Sequence, residues 1–209
     1  MRNLDEIKTF LEQEIVPRYD NFDAGHGRDH AEHVMAQAMN LAQFYPEVDL
    51  CILLTAAAYH DLGLINGRER HHIDSAAIVH ADKRLCQWFS DEEINTIADA
   101  AEDHRASSDH EPRTIYGRIV AEADRIIDSN TIVRRALQYG MSHYPGLDRE
   151  EQYLRLKEHM QEKYAEGGYL RLWIPHGDNA RRLAEFRSIL ADEAAFRQLF
   201  EKTYNTINQ

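Results

Sequence analysis

"AAAYHDLGLI", residues 56–65, decides how this chain is read. The residues ahead of it, Cys51-Ile52-Leu53-Leu54-Thr55-Ala56-Ala57-Ala58-Tyr59, are apolar on nearly every side of a helix. The spacing predicts a helix over 49–62, buried on most of its surface. His60 and Asp61 close it. An imidazole and a carboxylate at the end of a buried helix are costly unless something compensates them. Either the pair satisfies itself, or a metal ion sits between the two.

Outward from this stretch the pattern stays helical. Segment 4–16 carries Leu4, Ile7, Phe10, Leu11 and Ile15 at helical spacing, with Pro17 soon after. Gly25 and Gly27 mark a loop, and Val34, Ala38, Leu41, Ala42 and Tyr45 form the next stripe until Pro46. Beyond a turn from Gly63 to Gly67, a helix is expected over about 72–89. Ser90 and Glu93 form a capping box ahead of Ile94, Ile97, Ala98 and Ala101. Residues 105–113, "RASSDHEPR", read as a polar loop, and Ile115, Ile119, Val120, Ala123, Ile126 and Ile127 as another helix. Past 140, "HYPGLD", "EGG" and "IPHGDN" separate shorter helices. No alternating strand run and no repeat occurs. The expected fold is all-α: a single helical bundle over 1–140, with residues 141–209 as a helical C-terminal extension of the same domain.

Composition narrows the function classes. A chain of 209 residues suits one good-sized core or at most two small domains, and its formal net charge of −12 argues against a nucleic-acid polymer as partner. A small anionic substrate stays open, because a bound metal and a few arginines reverse a local field. No apolar run approaches membrane length, and the charged opening Met1-Arg2-Asn3-Leu4-Asp5-Glu6 is unlike a signal peptide. A cytoplasmic protein with no membrane partner is expected. Cys51 and Cys86 both fall in apolar helical patterns and are expected as reduced core residues.

The titratable residues on those stripes carry the chemistry. His30 lies one turn before Val34, His104 one turn past Ala101, and Asp124 between Val120 and Ile127. With His60 and Asp61 they make five polar groups where helices want hydrophobes. Singly, each is read as a satisfied core residue, and Asp124 has Arg125 beside it. Together they ask for one shared partner, and a cation serves all five. Imidazole and carboxylate without thiolate suit zinc, iron, manganese or a harder divalent ion. In "RERHHIDSAAIV", His71 or His72 is placed to complete a second metal position; His71, one turn before Ser75, is the more inward of the two.

The order His30, His60-Asp61, His104, Asp124 on helices resembles the HD-domain superfamily of metal-dependent phosphohydrolases. "HGRDHAEHV", "AAAYHDLG" and "AEADR" are similar to its opening helix, its His-Asp helix and the helix of its last aspartate. "HHIDSA" and "EDHRAS" are similar to the elements that supply extra histidines in members with two metals. The resemblance covers about residues 26–128. It implies one or two divalent ions (Mn, Fe, Zn, Co or Mg) on His30, His60, Asp61, His71, His104 and Asp124, with Asp61 bridging. It further implies hydrolysis of a phosphate ester or anhydride of a nucleotide or similar small metabolite by a metal-activated water, with Asp61 and His60 at the centre of catalysis. Arg105, Arg113 and Arg28 are the candidates for binding substrate phosphate. Two alternatives remain on the same scaffold, a di-iron oxygenase and a catalytically silent module binding a nucleotide or a partner. Two departures stand out. Leu62-Gly63-Leu64-Ile65 lacks the carboxylate that some nucleotidase and guanosine-polyphosphate-hydrolase members place after the His-Asp pair, and the glycine-tyrosine-proline signature of the cyclic-dinucleotide branch is missing. The tail segments "YLRLWIP" and "FRQLFEKTY" are read as a packed extension, with a pocket wall or a homodimer contact as the alternatives.

Overall fold

The computed structural model describes residues 2–23, 25–108, 110–175 and 177–207. Among them are ten α-helices and no strand. The chain separates into two compact units, one of Met1–Arg125 with Trp173–His176, the other of Ile126–Leu172 with Gly177–Gln209.

The first unit is built around α3 (Leu50–Tyr59), in which every residue from Cys51 to Tyr59 is buried. Its start is fixed by Asp49, whose carboxylate accepts from the amides of Cys51 (2.8 Å) and Ile52 (3.3 Å), the cap that offsets otherwise orphaned donors. Around it pack α1 (Leu4–Phe10), α2 (Arg28–Ala42), α4 (His71–Ala81) and α5 (Asp91–Glu102), with α6 (Ile115–Ala123) completing the ring. Leu53, Ala57, Val34, Ile97 and Val120 meet in the core with no exposed surface.

Several local outcomes differ from the sequence expectation, among them the helix read through Ile126 and Ile127, which ends at Ala123. The first helix does not stop at Pro17: α1 runs on through a π turn (Leu11–Ile15) and a 3-10 turn (Val16–Asn21). Pro17 falls in the first turn of the latter, where its missing N–H is no loss. The helix expected over 72–89 ends at Ala81, because Asp82 turns out to accept from the Arg84 amide (3.1 Å) and opens a separate 3-10 turn, Lys83–Gln87. Cys86 is a free, exposed thiol rather than a core residue, whereas Cys51 is buried and free. The capping box at Ser90 and Glu93 has both arms, at 3.3 and 2.8 Å.

The second unit consists of α7 (Ser129–His143), α8 (Arg149–Tyr164), α9 (Asp178–Ala191) and α10 (Glu193–Ile207). Its apolar stripes meet through Leu137, Tyr153, Leu156, Met160, Phe186, Phe196 and Phe200, all buried. The Tyr153 ring stands edge-on to Phe200 with centroids 5.1 Å apart. Among the described residues no single helix is long and apolar enough to cross a membrane.

Candidate metal centre

Six side chains on five elements converge inside the first unit. His30 comes from the first turn of α2, His60 and Asp61 from the end of α3, and His71 from the start of α4. His104 lies just past α5, and Asp124 just past α6. They form two groups of donor atoms, His30 with His60 and Asp124, and Asp61 with His71 and His104. Asp61 faces both. Its Oδ2 lies 3.5 Å from His30 Nε2 and 3.4 Å from His60 Nε2, and its Oδ1 lies 3.5 Å from His71 Nε2 and 3.2 Å from His104 Nε2. Asp124 Oδ1 is 3.2 Å from His30 Nε2.

Histidine orientation is set from behind. Nδ1 of His60 donates to the Ala57 carbonyl (2.8 Å), that of His71 to Arg68 (2.8 Å) and that of His104 to Ala101 (2.6 Å). A carbonyl only accepts, so in each of these rings the Nδ1 carries the proton and a neutral ring presents a bare Nε2 lone pair. Yet His71 Nε2 and His104 Nε2 point at each other across 3.2 Å, as do those of His30 and His60. Two lone pairs at that distance repel unless a proton or a cation lies between them. Donors ~2.1 Å from a shared cation at tetrahedral angles lie ~3.4 Å apart, close to the spacings given above, with His60 Nε2 and Asp124 Oδ1 somewhat wider at 3.9 Å. The donor set therefore fits a divalent metal, and its lack of sulfur favours the borderline and hard ions.

Electrostatics of the protein groups agree. Burial opposes a charge on His30, but Asp124 and Asp61 outweigh it and raise its pKa to about 9. Burial works to raise Asp61, yet the surrounding His60, His104 and His30 hold it well below the usual carboxylate range. Asp124 is likewise held low against its burial, chiefly by His30. His71 goes the other way: burial and then His104 push it down to about 4. His104 is raised against burial by its bond to Asp61. These patterns belong to a site that collects positive charge. His60 is fully buried, whereas the side chains of His71 and Asp124 are 15% and 25% exposed, so solvent reaches the cluster beside those two.

Residues that the sequence reading passed over shape the site. Tyr19, wholly buried, donates to the Ala58 carbonyl (2.9 Å) and accepts from the Asp61 amide (3.2 Å). It thereby ties off the end of α3 where the His-Asp pair sits. Burial, and then the charge of Asp61, keep its phenol protonated. Gly63, in the 3-10 turn Leu62–Asn66, donates to the buried Ser75 Oγ (2.9 Å) and lets that turn lie against the start of α4. An added Cβ there would meet the His71 carbonyl at 2.0 Å.

The arginines divide. Arg105 directs Nη1 to the Glu69 carbonyl (2.7 Å) and to His72 Nδ1 (3.3 Å), and Nε to Ser107 Oγ (3.0 Å), none of them a carboxylate. Arg28 is taken up by a bidentate pair with Asp20 (2.8 and 2.6 Å) at the surface. Arg113 forks onto the buried Asp103 (3.0 and 2.8 Å) and also meets Asp99 (2.8 Å) and Glu102 (3.0 Å). Arg28 and Arg113 thus have carboxylates against their guanidinium groups, which Arg105 has not among the described residues. Arg125 donates to the carbonyls of His104 and Ala121.

Comparison with known families follows the same outline. Residues 27–127 match the family model of the HD domain. This part of the chain belongs to the HD-domain superfamily. That superfamily consists mostly of metal-dependent hydrolases, and the HD domain here contains all six converging donors. No curated protein and no solved structure gives a match.

Proposed function

We propose that this HD-domain protein is a metal-dependent phosphohydrolase, cleaving a phosphate ester or anhydride of a nucleotide or similar small phosphorylated metabolite. The observation that carries the proposal is the pair of opposed Nε2 contacts flanking the two oxygens of Asp61. His30, His60, Asp124 and one oxygen of Asp61 would hold one divalent ion, and His71, His104 and the other oxygen a second. Ions so held supply Lewis-acid polarisation of a phosphoryl oxygen and lower the pKa of water.

The chain's own residues do the rest. His60, buried and oriented by Ala57, keeps its nitrogen in place without reorganisation. Asp61 gathers imidazoles on both sides and fixes the spacing of the two groups. Arg105, fixed by neutral partners beside His104, presents a charge that no carboxylate cancels, suited to a phosphate oxygen. The reaction adds water across the P–O bond, the hydroxyl going to phosphorus and the proton to the leaving oxygen. The second donor group, two imidazoles and one carboxylate, also suits Fe(II), so oxygen consumption is measured on the same preparation.

The test is turnover of a panel of phosphomonoesters, nucleotides and pyrophosphate with Mn2+, Zn2+, Co2+ or Mg2+. Release of phosphate that EDTA abolishes and Asp61→Asn abolishes, with circular dichroism unchanged, supports the reading. Phosphate release that survives EDTA, or its absence under every metal, defeats it; oxygen uptake with an iron-loaded sample would establish the alternative.

A further inference from the structure

Two histidines outside the donor groups are each joined to an arginine. His26 lies one turn ahead of His30 and edge-on to its ring, with centroids 5.9 Å apart. Its Nδ1 is held by Asp23 at 2.8 and 3.0 Å, and its Nε2 lies 3.5 Å from Arg68 Nη2. His72 stands next to His71, the ring centroids 5.6 Å apart, and its Nδ1 takes Arg105 Nη1 at 3.3 Å. One arginine–histidine pair thus accompanies the first donor group and the other the second.

The chemistry of these pairs is distinctive. An imidazole nitrogen accepting from a guanidinium orients it without cancelling its charge, whereas the carboxylates on Arg28 and Arg113 do both. Asp23 feels the charge of Arg68 but gives its hydrogen bonds to His26 and to the Gly25 amide (2.7 Å). No ion pair of Arg68 or Arg105 is found among the described residues. Arg68 also gives its backbone carbonyl to His71, so the residue that orients a donor of the second group sends its side chain toward the first. A single phosphoryl group needs one such fork. Two linked phosphoryl groups, with about twice the charge, match two.

We infer that Arg68, positioned by His26, contacts substrate and works with Arg105 to grip two linked phosphoryl groups, so that the preferred substrate is a phosphoanhydride rather than a lone phosphate ester. The inference rests on the phosphohydrolase reading above. Its test is calorimetric titration of the intact protein, with Mn2+ present, by methylenediphosphonate and by methylphosphonate. The wild type should prefer the diphosphonate, and Arg68→Ala should reduce that preference about tenfold, the size of one charge-assisted contact at a solvent-exposed mouth. Arg68→Lys should recover part of it, and Arg181→Ala on the exposed face of α9 should keep the full preference. Equal preference in the wild type and Arg68→Ala, or no preference in the wild type, overturns the inference. A preference that depends on Arg68 in a protein that hydrolyses neither anhydride nor ester would uphold the diphosphate grip while defeating the hydrolase reading.

Discussion

Gly63→Ala is a one-methyl change that should empty half of the metal centre. The new Cβ would stand 2.0 Å from the His71 carbonyl oxygen and 2.5 Å from the Ser75 amide nitrogen, both backbone atoms that no rotamer change can move. Ordinary contact begins at 3.4 Å, so the turn and the start of α4 must part by about 1.4 Å. His71 Nε2 sits 3.2 Å from His104 Nε2 and 3.5 Å from Asp61 Oδ1, a geometry that a displacement of that size breaks. The bond from Gly63 N to Ser75 Oγ goes with it. Overpacking of a tight contact plus one buried hydrogen bond predicts roughly 2–4 kcal/mol of lost stability. A displaced ligand predicts about 10–100-fold weaker metal binding in the second group. The assay is thermal unfolding with EDTA and with Zn2+, together with metal content by mass spectrometry. The variant should unfold at lower temperature and retain about half the wild-type metal. A variant with wild-type midpoint and wild-type metal content would refute the packing argument.

Other predictions follow from the same geometry. Tyr19→Phe leaves the buried Ala58 carbonyl and Asp61 amide without the phenol, and should cost roughly 1–3 kcal/mol, read as a lower urea midpoint with unchanged slope. Because His30 is raised to about 9 and His104 is raised as well, a cation must displace protons near neutral pH. Calorimetry in two buffers of different ionisation enthalpy should show proton release, and equal heats would contradict it. The sign for stability in EDTA follows from His30. Its contribution is fully present below the unfolded value of ~6.5 and is lost as pH rises through about 9, so the thermal midpoint should fall across that interval. Arg113→Ala leaves the buried Asp103 carboxylate without its fork and should lower stability by roughly 1–3 kcal/mol, the Arg113 side chain being 40% exposed. A midpoint within a degree or so of wild type would show that the Arg113–Asp103 pair carries no weight.

Much of the bundle was legible because the polar residues of the site interrupt apolar stripes whose helical spacing places them inward. His30, His60, Asp61, His104 and Asp124 each stand where the stripe calls for a hydrophobe, and a helical register read by eye was enough to bring them to one side. Tyr19 and Gly63 gave no such signal. Their partners lie 42 and 12 residues away, and only the folded chain brings them together. The arginines show a related limit. Arg28, Arg105 and Arg113 all lie in polar loops or first turns, and which carboxylate a long flexible side chain finds is decided by the fold. Asp82 is similar: its bonds to the Tyr59 hydroxyl (2.8 Å) and to the Arg84 amide stop a helix that the apolar pattern would have continued. Pro17 misled in the opposite sense, since a helix that changes pitch can carry proline at the start of its new turn.

The central claim is that His60 and Asp61 are buried because cations are buried with them. Elemental analysis of the protein purified without added metal, beside Asp61→Ala, tests it most directly. The account predicts about two transition-metal ions per chain, lost together in the variant because Asp61 faces both donor groups. A wild-type protein that holds no metal even after divalent ions are added back, or an Asp61→Ala variant that keeps both, would contradict it.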